Sequence, residues 1–85
     1  MQHKNGEFKE ALHSFSEVLK EVGEDRLVYE SRGLVYQDMK NHEFAIKDFN
    51  TSIKIEPNYS LVYYYRGLSR IELRKLKLAI KDFMK

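Results

Sequence analysis

Apolar residues return at steps of three and four along most of this chain, the spacing that marks one face of an α-helix. Between residues 7 and 22 they are Phe8, Leu12, Phe15 and Leu19. In residues 27–39 a face is marked by Leu27, Tyr29, Gly33, Leu34 and Tyr36, and in residues 43–55 by Phe44, Ala45, Phe49, Ser52 and Ile53. Between those two segments lies Lys40-Asn41-His42, too short and polar for anything but a tight connection, so the helices on either side fold back antiparallel. Glu56-Pro57-Asn58 closes one helix pair and opens the next, because proline cannot continue a helix and Asn58 or Ser60 can cap the following one. Gly23 stands one period before Pro57 and predicts a different stop, through the left-handed conformation that glycine tolerates.

The pattern repeats. Displaced by 34 residues, the sequence matches itself: Ala11, Ala45 and Ala79 align, as do Phe15, Phe49 and Phe83. Over residues 26–51 against 60–85, eleven positions are identical, among them Tyr29/Tyr63, Arg32/Arg66, Gly33/Gly67 and Leu34/Leu68. Ala45-Ile46-Lys47-Asp48-Phe49 recurs unchanged as Ala79-Ile80-Lys81-Asp82-Phe83. Each unit is one helical hairpin, unable to bury its apolar face except against its neighbours.

The order Tyr29, Gly33, Tyr36, Ala45, Phe49, Pro57 resembles the tetratricopeptide repeat, with Tyr29 and Tyr63 at the position of the family's usual tryptophan. The resemblance covers essentially the whole chain and implies an all-α array of antiparallel helix hairpins, an α-solenoid of about two and a half repeats and five main helices. In the family frame, residues 1–25 are a partial repeat, 26–59 a complete one and 60–85 a truncated third, with Met1 to Lys4 the tail of a first helix. Glycine inside a helix costs about 1 kcal/mol relative to alanine. Gly33 and Gly67 therefore predict close approach of the paired helices, with Ala45 and Ala79 as the small facing partners and Tyr29, Tyr63, Phe49 and Phe83 filling the space beside them.

Terminal repeats ordinarily carry a polar outer face. Here Phe8, Leu12, Phe15 and Leu19 at one side, and Leu76, Ile80 and Phe83 at the other, each lack a neighbour. The chain reads as a piece of a longer array, or as a unit that self-associates through its uncapped ends.

The resemblance also implies where a partner sits. First helices of the pairs line a concave wall, which places Leu27, Glu30, Ser31, Leu34, Gln37 and Asp38 of the complete repeat there. The third repeat contributes Leu61, Tyr64, Tyr65, Leu68, Ile71 and Glu72, and His3 and Lys4 lie at the edge. Tyr64 and Tyr65 cannot share the helix face of Tyr63, so they point into the groove or pack on the adjacent helix. Chaperone-binding members of the family grip a terminal carboxylate with lysine, asparagine and arginine on three successive first helices. The asparagine position reads Ser31 or Tyr65, and the lysine and arginine positions of the third repeat read Leu61 and Tyr65, so a carboxylate clamp is not expected.

Composition narrows the remaining classes. Of 85 residues, 42% are hydrophobic and 33% charged with the signs interspersed, which suits surface helices rather than a disordered tail. The net charge of +2 does not indicate nucleic acid, but it is unevenly spread. From Glu7 to Glu30 seven acids face Lys9, Lys20 and Arg26, a balance of −4, whereas Arg66 to Lys85 carries +5. That separation can steer a partner or a second copy. Arg66, Arg70 and Arg74 are expected to form a solvated stripe with local pairing to Glu72 and Asp82, and the stem of Arg70 to cover the core in the slot of Tyr36. There is no cysteine, no signal-like segment and no apolar run near the roughly 20 residues of a membrane span, so no membrane association is expected and the default compartment is intracellular, the cytoplasm by composition alone. His3, His13 and His42 are too far apart to suggest a metal, and no glycine-rich loop or serine–histidine–acid motif suggests a cofactor or an enzyme. The expected function is protein or peptide binding by a scaffold or adaptor module without catalytic activity of its own.

Overall fold

The computed structural model describes residues 5–85 and contains five helices: α1 (Asn5–Val22), α2 (Arg26–Asp38), α3 (His42–Ile55), α4 (Ser60–Glu72) and α5 (Leu76–Phe83). Helices α2 and α3 form one antiparallel hairpin and α4 and α5 the next, with α1 packed against α2 and α3 against α4. The expected run of Met1 to Lys4 as the tail of a further helix lies outside the described residues.

Local chemistry accounts for most boundaries. Gly23, at φ +84°, ends α1, and its N–H donates to Leu19 O at 2.9 Å. Asp25 caps α2, its side chain accepting from Val28 N at 3.1 Å. Asn41 caps α3 by accepting from Phe44 N at 3.4 Å. Both hairpins turn on a left-handed residue that is not glycine, Lys40 at φ 65° and Arg74 at φ 63°, and the following N–H returns to Tyr36 O or Arg70 O to close the helix end.

One capping expectation needs correction. The N-cap of α4 is neither Asn58 nor Ser60 but Tyr59, which makes no side-chain cap bond. Its ring is held instead by Arg26, whose guanidinium lies 3.8 Å from the ring centroid while Nη1 donates to Glu30 Oε1 at 2.6 Å. At the start of α5, Lys75 stands where Asn41 stands before α3, and it also makes no cap bond. Lys75→Asp supplies an acceptor and puts negative charge at the positive end of the helix. It is expected to stabilise the chain by about 1 kcal/mol, read as a higher urea midpoint. No gain would mean that α5 does not unfold together with the rest.

The centre of the molecule is Ala45, Phe49 and Val62, with Leu34, Tyr36, Ile53 and Tyr65 packed against them. The core thus lies among α2, α3 and α4. A Cβ built on Gly33 would sit 2.6 Å from Phe49 Cε1, and one on Gly67 2.6 Å from Phe83 Cε1. The close approach at each glycine is therefore to the phenylalanine ring, not to Ala45 or Ala79 as the small-partner expectation had it. The alanines are buried on the same helices, but a full ring rather than a methyl group needs the missing Cβ.

A second repeating contact joins the paired helices. Arg32 grips Asp48 through Nε and Nη2, both at 2.8 Å, and Arg66 grips Asp82 at 3.1 and 2.7 Å. The remaining nitrogen of each reaches back to the preceding hairpin or helix, Arg32 Nη1 to Ser16 Oγ at 3.4 Å and Arg66 Nη1 to Asn50 Oδ1 at 2.8 Å. The hydrogen bond to Asp48 holds the Arg32 guanidinium above its ordinary pKa, with burial pulling the other way. Tyr29 and Tyr63 lie beside these arginines, 5.6 and 5.2 Å from ring centroid to guanidinium carbon, so they occupy equivalent places in successive units. The solvated arginine stripe is corrected accordingly. Arg66 and Arg70 both bind the buried carboxylate of Asp82, Arg70 at 2.8 Å, and Glu72 takes no part.

Candidate functional site

Curvature follows from which helices touch. The backbones of the first helices of the two hairpins, α2 and α4, approach each other, whereas among the described residues the backbone of α3 comes near neither α1 nor α5. The α2–α4 side is the inner, closely spaced side and the other helices fan outward.

On that inner side the structure separates the residues singled out from sequence. Tyr64 is 49% exposed, with its ring 6.0 Å from Tyr65 and 5.8 Å from Phe83. Tyr65 is half-buried and stacks on Phe49 at 6.1 Å, so much of its ring serves the junction between hairpins. Gln37 spends its amide on Tyr65 O and Ser69 Oγ, both at 2.8 Å, and so ties α2 to α4. Ser31 is half-buried, and Leu34 packs on the core. Glu30 is buried against Arg26. What remains open is Leu27, Leu61, Tyr64, Leu68 and Ile71, together with the carboxylates of Asp38 and Glu72. His3 and Lys4 lie outside the described residues.

Asp38, Leu68 and Glu72 come together in a cleft of about 290 Å³ lined also by Gln37, Lys40, His42 and Ile71. Neither carboxylate makes an ion pair among the described residues. His42, which reads as a surface or loop histidine, is half-buried with Nδ1 2.9 Å from Ser69 Oγ. Sequence reasoning did not place Lys40 or His42 at this cleft. They belong to the hairpin connection, and only the left-handed turn at Lys40 brings that connection beside the end of α4. Among the described residues no three His, Cys, Asp or Glu side chains gather closely enough to hold a metal ion, and no helix is long and apolar enough to cross a membrane.

The family model of the tetratricopeptide repeat matches residues 27–59, the hairpin of α2 and α3, whose glycine–ring and arginine–aspartate contacts recur 34 residues later in α4 and α5. Residues 27–59 are a tetratricopeptide repeat. The fold of the chain is similar to a solved structure described as the second TPR of Spaghetti (RPAP3) bound to the HSP90 peptide SRMEEVD, with a TM-score of 0.87 at 28% sequence identity. That match covers 93% of this chain and 73% of the other. No curated protein matches by sequence. The structural likeness and the repeat match support a protein-interaction module.

Proposed function

We propose that the chain binds a peptide segment of another protein along the α2–α4 wall, and that it has no catalytic activity of its own. In this reading residues 1–25, 26–59 and 60–85 act as three repeat units, the second and third supplying the wall. The observation that carries it is the combination of open apolar side chains (Leu61, Tyr64, Leu68 and Ile71) with two unpaired carboxylates on one inner face. Aromatic and aliphatic groups on a preformed surface give contact area at low conformational cost, and tyrosine is enriched among residues that dominate binding. The peptide held by the structurally similar RPAP3 domain supports a peptide as the kind of ligand.

The chemistry of the wall favours a different peptide from that one. Ser31, Leu61 and Tyr65 stand at the positions where a carboxylate clamp needs amide or cationic donors, and Asp38 and Glu72 add negative charge. The ligand that complements this wall carries apolar side chains with a lysine or arginine among them, its cation reaching the Asp38–Glu72 cleft.

Fluorescence anisotropy with two labelled heptapeptides tests this reading: SRMEEVD, and a leucine-rich peptide carrying one central arginine. The basic apolar peptide is expected to bind, and Tyr64→Ala combined with Leu68→Ala to weaken it at least about tenfold, the cost of roughly 1.4 kcal/mol. Tyr65 is left intact because its stacking on Phe49 would confound binding with folding. Tighter binding of SRMEEVD, or no loss in the double variant, would remove the reading.

A further inference from the structure

A second surface, separate from the inner wall, carries its own pattern. Helix α5 exposes Leu76 (53%) and Ile80 (58%), and Met84 just beyond it is 81% exposed. These three follow at steps of four and so form one stripe. Beside it, at the same spacing, run Lys77, Lys81 and Lys85, all exposed. In α3 the residue equivalent to Ile80 is Ile46, which is half-buried and lines a cleft with Leu73 and Lys75 of the following hairpin. Phe49 is fully buried where its equivalent Phe83 is 42% exposed. The α5 stripe is thus the face by which a hairpin meets its neighbour. The one acid of this helix, Asp82, is already bound by Arg66 and Arg70, so the surface is apolar and basic with no free carboxylate of its own.

Helix α1 presents the opposite combination. Val18 is 39% and Val22 66% exposed, one turn apart, with Glu10, Glu17 and Glu21 exposed on the same helix, Glu24 just beyond it, and Lys20 3.9 Å from Glu17. Val18 occupies the position of Ser52, which is fully buried in α3 with its hydroxyl donating to Arg26 O of α2 at 3.1 Å.

We propose that the α5 face of one copy docks on the α1 face of a second copy, apolar stripe against apolar stripe with lysines opposite glutamates. The two faces are different, so the contact is heterologous: each copy offers one of each, and association continues beyond a dimer unless a ring closes. Charge complementarity decides for a second copy as occupant, because this chain itself carries the acidic amphipathic helix that the basic face requires.

Sedimentation velocity on the 85-residue chain, from micromolar to millimolar and at low and high salt, tests the proposal. The wild type is expected to gain mass with concentration beyond the dimer and to lose that mass at high salt. Ile80→Glu blocks one face and Val22→Lys the other. Both residues are more than half exposed, so the variants keep their helical circular dichroism. Each variant alone is expected to stay monomeric, and an equimolar mixture to associate, through the one intact face of each. A wild type monomeric at every concentration, an Ile80→Glu variant that assembles as the wild type does, or a mixture that stays monomeric overturns the proposal.

Discussion

Gly33→Leu is expected to destabilise the chain by about 3 kcal/mol, a fall of roughly 12–24 °C in Tm for a domain of this size. A Cβ at Gly33 alone would lie 2.6 and 2.8 Å from Phe49 Cε1 and Cδ1. Phe49 has no exposed surface and stacks on Tyr65, so the ring has nowhere to go and the helices must part. Gly67 offers an internal control. Its Cβ would meet Phe83 Cε1 at the same 2.6 Å, but Phe83 is 42% exposed and can rotate toward solvent. Alanine at either site gains about 1 kcal/mol of helix propensity. Gly33→Ala is therefore expected to lose stability while Gly67→Ala stays close to neutral, compared by urea denaturation. Equal losses would show that confinement of the ring is not what makes Gly33 necessary.

The second large effect is expected at Asp48. Its carboxylate takes two hydrogen bonds from Arg32 and its side chain is 7% accessible. Asp48→Ala strands the guanidinium with Ser16, at 3.4 Å, as its remaining hydrogen-bond partner and the Tyr29 ring beside it. Breaking a buried pair typically costs 3–5 kcal/mol, and the 21% accessibility of Arg32 lets water relieve part of it, so about 2–3 kcal/mol is expected. Arg32→Met combined with Asp48→Leu removes both charges and should recover most of the loss, since an apolar pair of similar volume is often neutral. Denaturation of the single and double variants decides the matter. If the double variant is no more stable than Asp48→Ala, the stranded cation is not the cause. The raised Arg32 pKa leaves this stabilisation fully present below the ordinary guanidinium range. It is lost only when pH rises through the folded value, so no dependence from this group is expected near neutrality.

How much of this was legible beforehand differs by residue. Helix spacing, the Gly23 stop and the 34-residue repeat are properties of neighbours along the chain, and each emerged in the structure at or near its expected position. The identity of Arg32 with Arg66 and Asp48 with Asp82 was visible as repetition, yet each pair spans 16 residues, and no local rule says which cation meets which carboxylate. Tyr64 and Tyr65 are adjacent in sequence and chemically identical. A turn of about 100° per residue around α4 puts the second against Phe49 and leaves the first largely open.

Periodicity by itself determined that this chain folds as helical hairpins stacked in series, because the apolar steps and the repeat length admit few other ways to bury those faces. Only the tertiary structure decided that rings rather than alanines press on Gly33 and Gly67, that Gln37 ties two helices together, and that Asp38 and Glu72 share a cleft. The physical reason is that these outcomes depend on the distance and rotation between helices. Those are set by all the contacts at once and are written in no single segment.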